Sequence, residues 1–345
     1  MHKLDIINLD RCLKPVTGRP ERRFQPGIAG RVPELEPEPA NTPSSTRLIE
    51  PMTTQRVLAA AVCGVAAATT LVQAQTAHYP NGVEGIKAGS LPPPGIYLRD
   101  YNYGYLADRF SGGPKEFSLS AYIQAPRVIW ISDFKLLGGS LGADILVPFV
   151  YQQVKFNPAP PGPVGRWENF GIGDVCVEPL TLSWHQERYD LGVGYAFWAP
   201  TGEFDKNYPP SPGKGYWGHM LTAGGTYYFD SEKTWAVSLL NRYEINQENS
   251  STATTTGNAW TVEGGLSKTL NKTIDVGLVG YVQAKVTKDS GPAAKPRDSV
   301  VGVGPEVSVF FPSIVSFASL RWVAEFGASD RPEGHMINLT LTKRF

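Results

Sequence analysis

From about residue 95 to the C-terminus, apolar and polar positions exchange places every second residue, in runs separated by Gly, Pro, Asn and Asp. A period of two puts successive side chains on opposite faces of a strand. The pattern is clearest at the end of the chain, where Ile337, Leu339, Leu341 and Phe345 share one face and Asn338, Thr340, Thr342 and Arg344 the other. Elsewhere Leu141, Ala143, Ile145, Val147, Phe149 and Tyr151 oppose Gly142 and Asp144, and Val301, Val303, Val307, Val309 and Phe311 oppose Gly302, Gly304, Glu306 and Ser308. The pattern predicts about twelve strands, at roughly 95–108, 117–131, 139–151, 169–185, 189–199, 215–229, 234–246, 259–269, 273–286, 299–311, 314–326 and 335–345. The fourth is irregular at Glu178-Pro179, where a bulge is expected.

The connections alternate too. Those after the even-numbered strands are short, such as Gln186-Glu187-Arg188, Leu270-Asn271-Lys272 and Pro312-Ser313. The others, at 109–116, 152–168, 200–214, 247–258, 287–298 and 327–334, are mostly longer. Short turns at one end and long loops at the other predict an all-β fold: a transmembrane antiparallel up-and-down β-barrel with short periplasmic turns and long extracellular loops. A soluble barrel carries its apolar face inside; here the charged face can be interior only if the apolar face meets lipid. The last strand must then close on the first so that no edge is left in the bilayer. Tyr97, Tyr101, Tyr103, Tyr105, Trp130, Trp217, Tyr227, Tyr228, Trp235, Trp260 and Trp322 fall near strand ends, where interfacial girdles lie.

Composition agrees with this reading. Charged residues make up 19% of the 345, below the roughly 25% of soluble domains. After residue 75 no apolar run reaches the about 18 residues of a membrane helix. Formal net charge is zero, so there is no basic footprint for nucleic acid.

Residues 52–74 have a short positive start, an Ala-rich apolar middle and the small-residue end Val72-Gln73-Ala74, the pattern of a secretory signal peptide cleaved before Gln75. Residues 1–51, rich in Pro, Arg and Glu, read as a disordered leader or as a start assigned upstream of Met52. Residues 75–94 carry a Pro run and no periodicity; they read as a periplasmic tether, with a small plug in the lumen as the alternative. Residues 95–345 are the barrel. With the leader and signal set aside, Cys176 is a lone thiol, expected to be packed and structural.

Several motifs resemble a known family. They include Pro92-Pro93-Pro94-Gly95-Ile96-Tyr97-Leu98-Arg99-Asp100-Tyr101-Asn102 and Ala125-Pro126-Arg127 followed by Trp130. Phe197-Trp198-Ala199-Pro200-Thr201-Gly202-Glu203-Phe204-Asp205, Gly213-Lys214-Gly215-Tyr216-Trp217 and Asn241-Arg242-Tyr243-Glu244-Ile245-Asn246 belong with them, as do Gly304-Pro305-Glu306-Val307 and the stretch from Glu325 to Gly334. Together they resemble the transporter-like outer-membrane proteins of the meta-pathway of phenol degradation family, over most of residues 88–345. The resemblance implies an outer-membrane barrel associated with catabolism of aromatic or other hydrophobic compounds.

No catalytic site is expected. His78, His185, His219 and His335 are scattered, and no Gly-x-Ser-x-Gly elbow or metal-spaced His pair occurs, so neither metal nor other cofactor is expected. The chemistry lies in the strand charges. Alternation turns Asp144, Arg242, Glu244, Glu306, Arg321 and Glu325 away from lipid, where a charge near the midplane costs about 2–4 kcal/mol. Arg242/Glu244 beside Arg321/Glu325 are expected to form a polar band along the solute path, or a salt-bridge network filling a narrow barrel. Ile337, Leu339, Leu341 and Phe345 are expected to face lipid as the closing strand and assembly signal, with Lys343 snorkelling at the rim.

The expected function is passive passage of small hydrophobic or aromatic solutes, the solute class resting on the resemblance. A narrow porin for small polar solutes and a structural or adhesive barrel are the alternatives. The expected partners are the bilayer and lipopolysaccharide, the outer-membrane barrel assembly machinery and the solute, with both termini in the periplasm.

Overall fold

The computed structural model describes residues 77–157 and 164–345. The leader and signal peptide expected over 1–74 lie outside them. Twelve strands, nearly all with alternating exposure, form the barrel. They are β1 (Gly95–Phe110), β2 (Phe117–Leu136), β3 (Gly139–Leu146 continued by Phe149–Phe156), β4 (Gly165–Ile172 continued by Val175–His185), β5 (Tyr189–Ala199) and β6 (Gly218–Tyr228). The rest are β7 (Trp235–Asn246), β8 (Ala259–Asn271), β9 (Ile274–Lys285), β10 (Ser299–Phe311), β11 (Ser316–Ser329) and β12 (Pro332–Arg344). Each pairs antiparallel with its sequence neighbours, and β12 closes on β1 in a register that sets Asn102 against Leu339 and Asp100 against Leu341. The Phe345 amide donates to the Ile96 carbonyl at 2.9 Å, so pairing runs to the final residue.

The long ladders carry two interruptions, both at residues that cannot continue them. Pro148 breaks β3, and Gly173-Asp174 break β4 at the same height, where the Gly173 amide donates to the Pro148 carbonyl at 2.8 Å. The bulge at Glu178-Pro179 is present. Pairing with β5 slips between Val177 and Leu180, and Pro179 and Leu180 both face outward. The β3–β4 hairpin extends beyond its expected ends, to Phe156 and from Gly165. Its hydrophilic residues Gln152, Gln153 and Lys155 pair with Asn169, Glu168 and Arg166 beyond the apolar band.

Outside, Ile337, Leu339, Leu341 and Phe345 are exposed, as are Leu191, Val193, Leu278, Val282, Val303 and Val307. Inside, buried charged, amide and hydroxyl side chains share the lumen with an apolar and aromatic cluster that includes Val154, Phe156, Trp198 and Val323. This inverts the soluble arrangement and suits a barrel whose solvent is lipid. Lys343 bends to the Ile314 carbonyl at the turn end. A polar cluster interrupts the apolar exterior: Asp100, Asn102, Tyr122 and Gln124 hydrogen-bond to one another on the outer face of β1 and β2, beside Leu339 and Leu341.

The tyrosines of β1 correct an expectation. Trp130, Trp217, Tyr227, Trp235, Trp260 and Trp322 do face outward, but Tyr97, Tyr101, Tyr103 and Tyr105 are buried inside, and Tyr228 is too. On β1 the outward positions are Ile96, Leu98 and Leu106, and the odd-numbered tyrosines point at the lumen. There their hydroxyls find carboxylates, Tyr101 donating to Glu84 at 2.8 Å and Tyr105 to Glu325 at 2.6 Å.

Residues 77–94 run inside the barrel, touching inward side chains of most of its strands. Their path descends from the long-loop end, where His78 meets Glu244, to the short-turn end, where Arg344 donates to the Pro94 carbonyl at 2.8 Å.

Candidate functional site: the lumen and its internal segment

A chain inside a barrel has no strand partners for its amides and carbonyls, so the wall must satisfy them. At the upper end the His78 amide donates to both Glu244 oxygens at 2.9 and 3.1 Å, and the Tyr79 amide to one of them at 3.2 Å. The His78 ring meets Glu244 through Nδ1 at 2.9 Å and Asp174 through Nε2 at 3.4 Å, and it stacks on Trp198. The Arg242 guanidinium lies 4.1 Å over the Tyr79 ring. Lower down, Arg321 donates to the Gly82 and Val83 carbonyls, and Glu306 accepts from the Ile86 amide at 3.0 Å and from Arg321 Nη2 at 3.3 Å. At the bottom Lys87 pairs with Asp275 at 2.8 Å and the Gly89 amide donates to Ser238 at 2.7 Å. Gly89 must be glycine, because a Cβ there would sit 2.4 Å from the Gly225 backbone nitrogen.

The centre is held by Glu84. Its carboxylate accepts from Arg99 Nη1 at 3.2 Å, Arg127 Nη1 at 3.3 Å and the Tyr101 hydroxyl at 2.8 Å, with Arg242 Nη2 at 3.8 Å. Arg127 is fixed in turn by Asp144 at 2.6 Å and Glu178 at 2.8 Å. Three guanidiniums would repel in a narrow lumen; the carboxylate of the internal segment joins them.

The structure places all six predicted lumen residues inside. Asp144 binds Arg127, Arg242 faces Glu84 and Glu263, and Glu244 holds His78. Glu306 pairs with Arg321, while Glu325 accepts from Tyr105, Tyr281 and the Gly334 amide. The expected joint band of Arg242/Glu244 with Arg321/Glu325 does not form. These pairs stand on β7 and β11, and the wall charges other than Glu325 turn to the segment between them. Sequence reasoning missed Arg99, Arg127, Glu178, Glu263 and Glu84. Arg127 stands among apolar inward neighbours, Ala125, Ile129 and Ile131, which hid its face.

Two cavities flank this centre. The upper one, about 190 Å³, has a largely apolar wall that includes Tyr103, Leu119, Ile123, Val150, Cys176 and Trp198. The lower one, about 540 Å³, opens around residues 84–93 toward the turn end. Glu84, Arg127, Glu178 and Arg242 line both, so the charged cluster is the partition. Lys214, from the loop after β5, reaches the upper cavity, where burial lowers its ammonium pKa against the pull of Glu244 and Asp174. Among the described residues no three His, Cys, Asp or Glu side chains are placed to share a metal ion.

The barrel is similar to the COG4313 outer membrane channel from Pseudomonas putida F1, with 15% identity over 78% of this chain and 100% of that one and a TM-score of 0.65. It is more distantly similar to the β domain of the Bordetella autotransporter BrkA, with 14% identity over 74% of this chain and 100% of that one and a TM-score of 0.44. A Pseudomonas aeruginosa FadL homologue has 10% identity over 72% and 89%, with a TM-score of 0.35. Among curated proteins none matches the chain. Residues 102–341 match the model of the MetA-pathway of phenol degradation family, and the chain, a closed twelve-stranded barrel with the fold of outer-membrane barrels, belongs to that family.

Proposed function

We propose that this barrel gives passive passage across the outer membrane to small hydrophobic or aromatic solutes, with its short turns and Phe345 in the periplasm. The observation that carries this reading is the division of the lumen. A solute entering from the loop end meets a cavity whose wall is mostly apolar and aromatic, with Asp174, Lys214 and Arg331 also on it, and the charged partition held by Glu84 then separates it from the vestibule below. An apolar body is favoured in the first compartment, because burying it there releases water. Hydrated ions gain nothing there and face a lumen filled by residues 77–94. Passage requires this segment to shift against the hydrogen bonds and ion pairs that hold it to the wall.

Reconstitution tests the reading. Vesicles carrying the protein should take up toluene or phenol saturably, while planar bilayers show little ion conductance. A stable open conductance with no aromatic uptake would replace this reading with the polar-solute porin.

A further inference from the structure

The loops at the long-loop end are stitched into a second built site, apart from the lumen. Asn249 Nδ2 donates to the Lys214 carbonyl at 2.9 Å and the Gln247 amide to the Trp217 carbonyl at 2.8 Å, tying 247–258 to 200–217. Thr255 and Ser290 exchange backbone hydrogen bonds at 2.8 and 3.0 Å, and the Ala293 amide donates to Thr254 Oγ1 at 3.0 Å, tying 286–298 to 247–258. Between these loops lies a cavity of about 360 Å³.

Its walls combine two chemistries. Phe204, Tyr208 and Tyr216 give aromatic surface, while Lys206, Lys214 and Lys295 bring three ammonium groups. Lys214 is drawn toward Glu244 and Asp174, and the acids nearest Lys295 are engaged by other groups. Asp289 is occupied by buried Lys285 at 2.9 Å and by the amides of Gly257 and Lys295. Asp298 is shared by Lys285 and Arg331. Asp205 is exposed and caps the Asn207 amide. Among the described residues no carboxylate lies within ion-pair distance of Lys295 Nζ. Burial first, then the charges of Lys214 and Lys285, hold its pKa down to about 8 against the pull of Asp289 and Asp298.

We propose that this loop cavity binds small carboxylates bearing an aromatic or other apolar body, the carboxylate meeting Lys295 and Lys214 and the body lying against Phe204, Tyr208 and Tyr216. Lys214 and Pro209 line this cavity and the upper lumen cavity alike, so the site adjoins the entry compartment. Its use as a capture point rests on the channel reading; the binding itself does not.

The test is calorimetric titration of the full chain in detergent with sodium benzoate, benzamide and inorganic phosphate. Benzoate should bind saturably, with benzamide and phosphate each at least tenfold weaker. Lys295→Gln should weaken benzoate at least tenfold, whereas Lys272→Gln in a turn at the opposite end should leave it unchanged. Heat-modifiable migration on gels reports that each variant is folded, and Lys206→Gln, on an exposed side chain, is a second variant expected to weaken binding. Benzamide binding as well as benzoate, or Lys295→Gln binding normally, removes the role of charge and overturns the proposal. Phosphate binding as tightly as benzoate overturns the carboxylate class in favour of a general anion site. Saturable benzoate binding without vesicle uptake of neutral aromatics would sink the channel reading alone; uptake without benzoate binding would sink this site alone.

Discussion

Glu244 holds His78 twice over, its carboxylate accepting from the backbone amide and facing the imidazole Nδ1 at 2.9 Å, across 166 residues of chain. The pair fixes the upper end of the internal segment beside the entry compartment. Replacing Glu244 by Ala leaves the buried amides of His78 and Tyr79 without acceptors, at about 1–3 kcal/mol for each orphaned group. The upper part of the segment should detach while the barrel, closed by its ladders, stays folded. Expected outcomes are a higher single-channel conductance and faster proteolysis at Lys87. Unchanged conductance and protection would show that the segment is held elsewhere.

Glu84 is the only carboxylate that the internal segment offers to Arg99, Arg127 and Arg242. Glu84→Gln keeps the shape and removes the charge. Breaking a buried ionic cluster from one side costs about 3–5 kcal/mol, so the unfolding temperature in detergent should fall. The uncompensated guanidiniums should also make any residual conductance anion-selective, measured as a reversal potential under a salt gradient. A variant of native stability and selectivity would show that Asp144 and Glu178 alone neutralise Arg127.

Much of the barrel was legible because its physics is local. Residues two apart share a face, so Ile337, Leu339 and Leu341 announced the lipid side and Glu306 and Arg321 the lumen side from alternation alone. Pro179 announced its bulge because it has no N–H to give the ladder. The tyrosines of β1 were misread because Tyr suits both an interfacial girdle and a polar lumen, and only the pairing of β1 with β2 and β12 decides between them. From sequence the internal segment reads first as a periplasmic tether, with a lumen plug only as the alternative, for a different reason. Its partners lie far along the chain, 220 residues away for Ile86 and Glu306, and it has no period to signal a face. Gly85 and Gly89 hint at close approach only once the wall is known.

The outer face of β1 and β2 carries a carboxylate where its neighbours are Leu339 and Leu341. A charge within the lipid band is unfavourable, for Asp by up to about 2 kcal/mol. Asp100→Leu should therefore raise the unfolding temperature of the barrel in lipid vesicles, with solute passage unchanged. A loss of stability would mean that the hydrogen bonds from Asn102 and Gln124 outweigh the cost of the charge.

Closure depends on the last residue. Phe345 donates its amide to Ile96, and its ring lies on the lipid side with Leu341 and Leu339. Deleting it removes one ladder bond, worth about 0.5–1.5 kcal/mol, and an apolar ring worth about 1.5–3 kcal/mol when buried in lipid. Both losses fall where β12 must find β1, so the folded fraction on refolding into vesicles should drop, read from heat-modifiable migration. Leu341→Arg, at about 2–4 kcal/mol for a cation in the apolar band, should act more strongly. Equal folding of both variants would remove the C-terminal strand from the assembly step.

The loop cavity predicts its own pH profile. Lys295 titrates near 8 in the empty site, and it contributes to carboxylate binding only when protonated. Below pH 8 the ammonium is present and benzoate affinity should be flat, since benzoate remains ionised there. Above it the affinity should fall, approaching roughly tenfold per pH unit as the proton is lost. Because binding a carboxylate favours the charged amine, the complex should take up protons near pH 8, visible as a heat of binding that changes with the ionisation enthalpy of the buffer. In Lys295→Gln the fall should be shallower and set by Lys214 alone. An affinity rising with pH, or a Lys295→Gln profile identical to that of the parent chain, would place the titrating group elsewhere and remove Lys295 from the site.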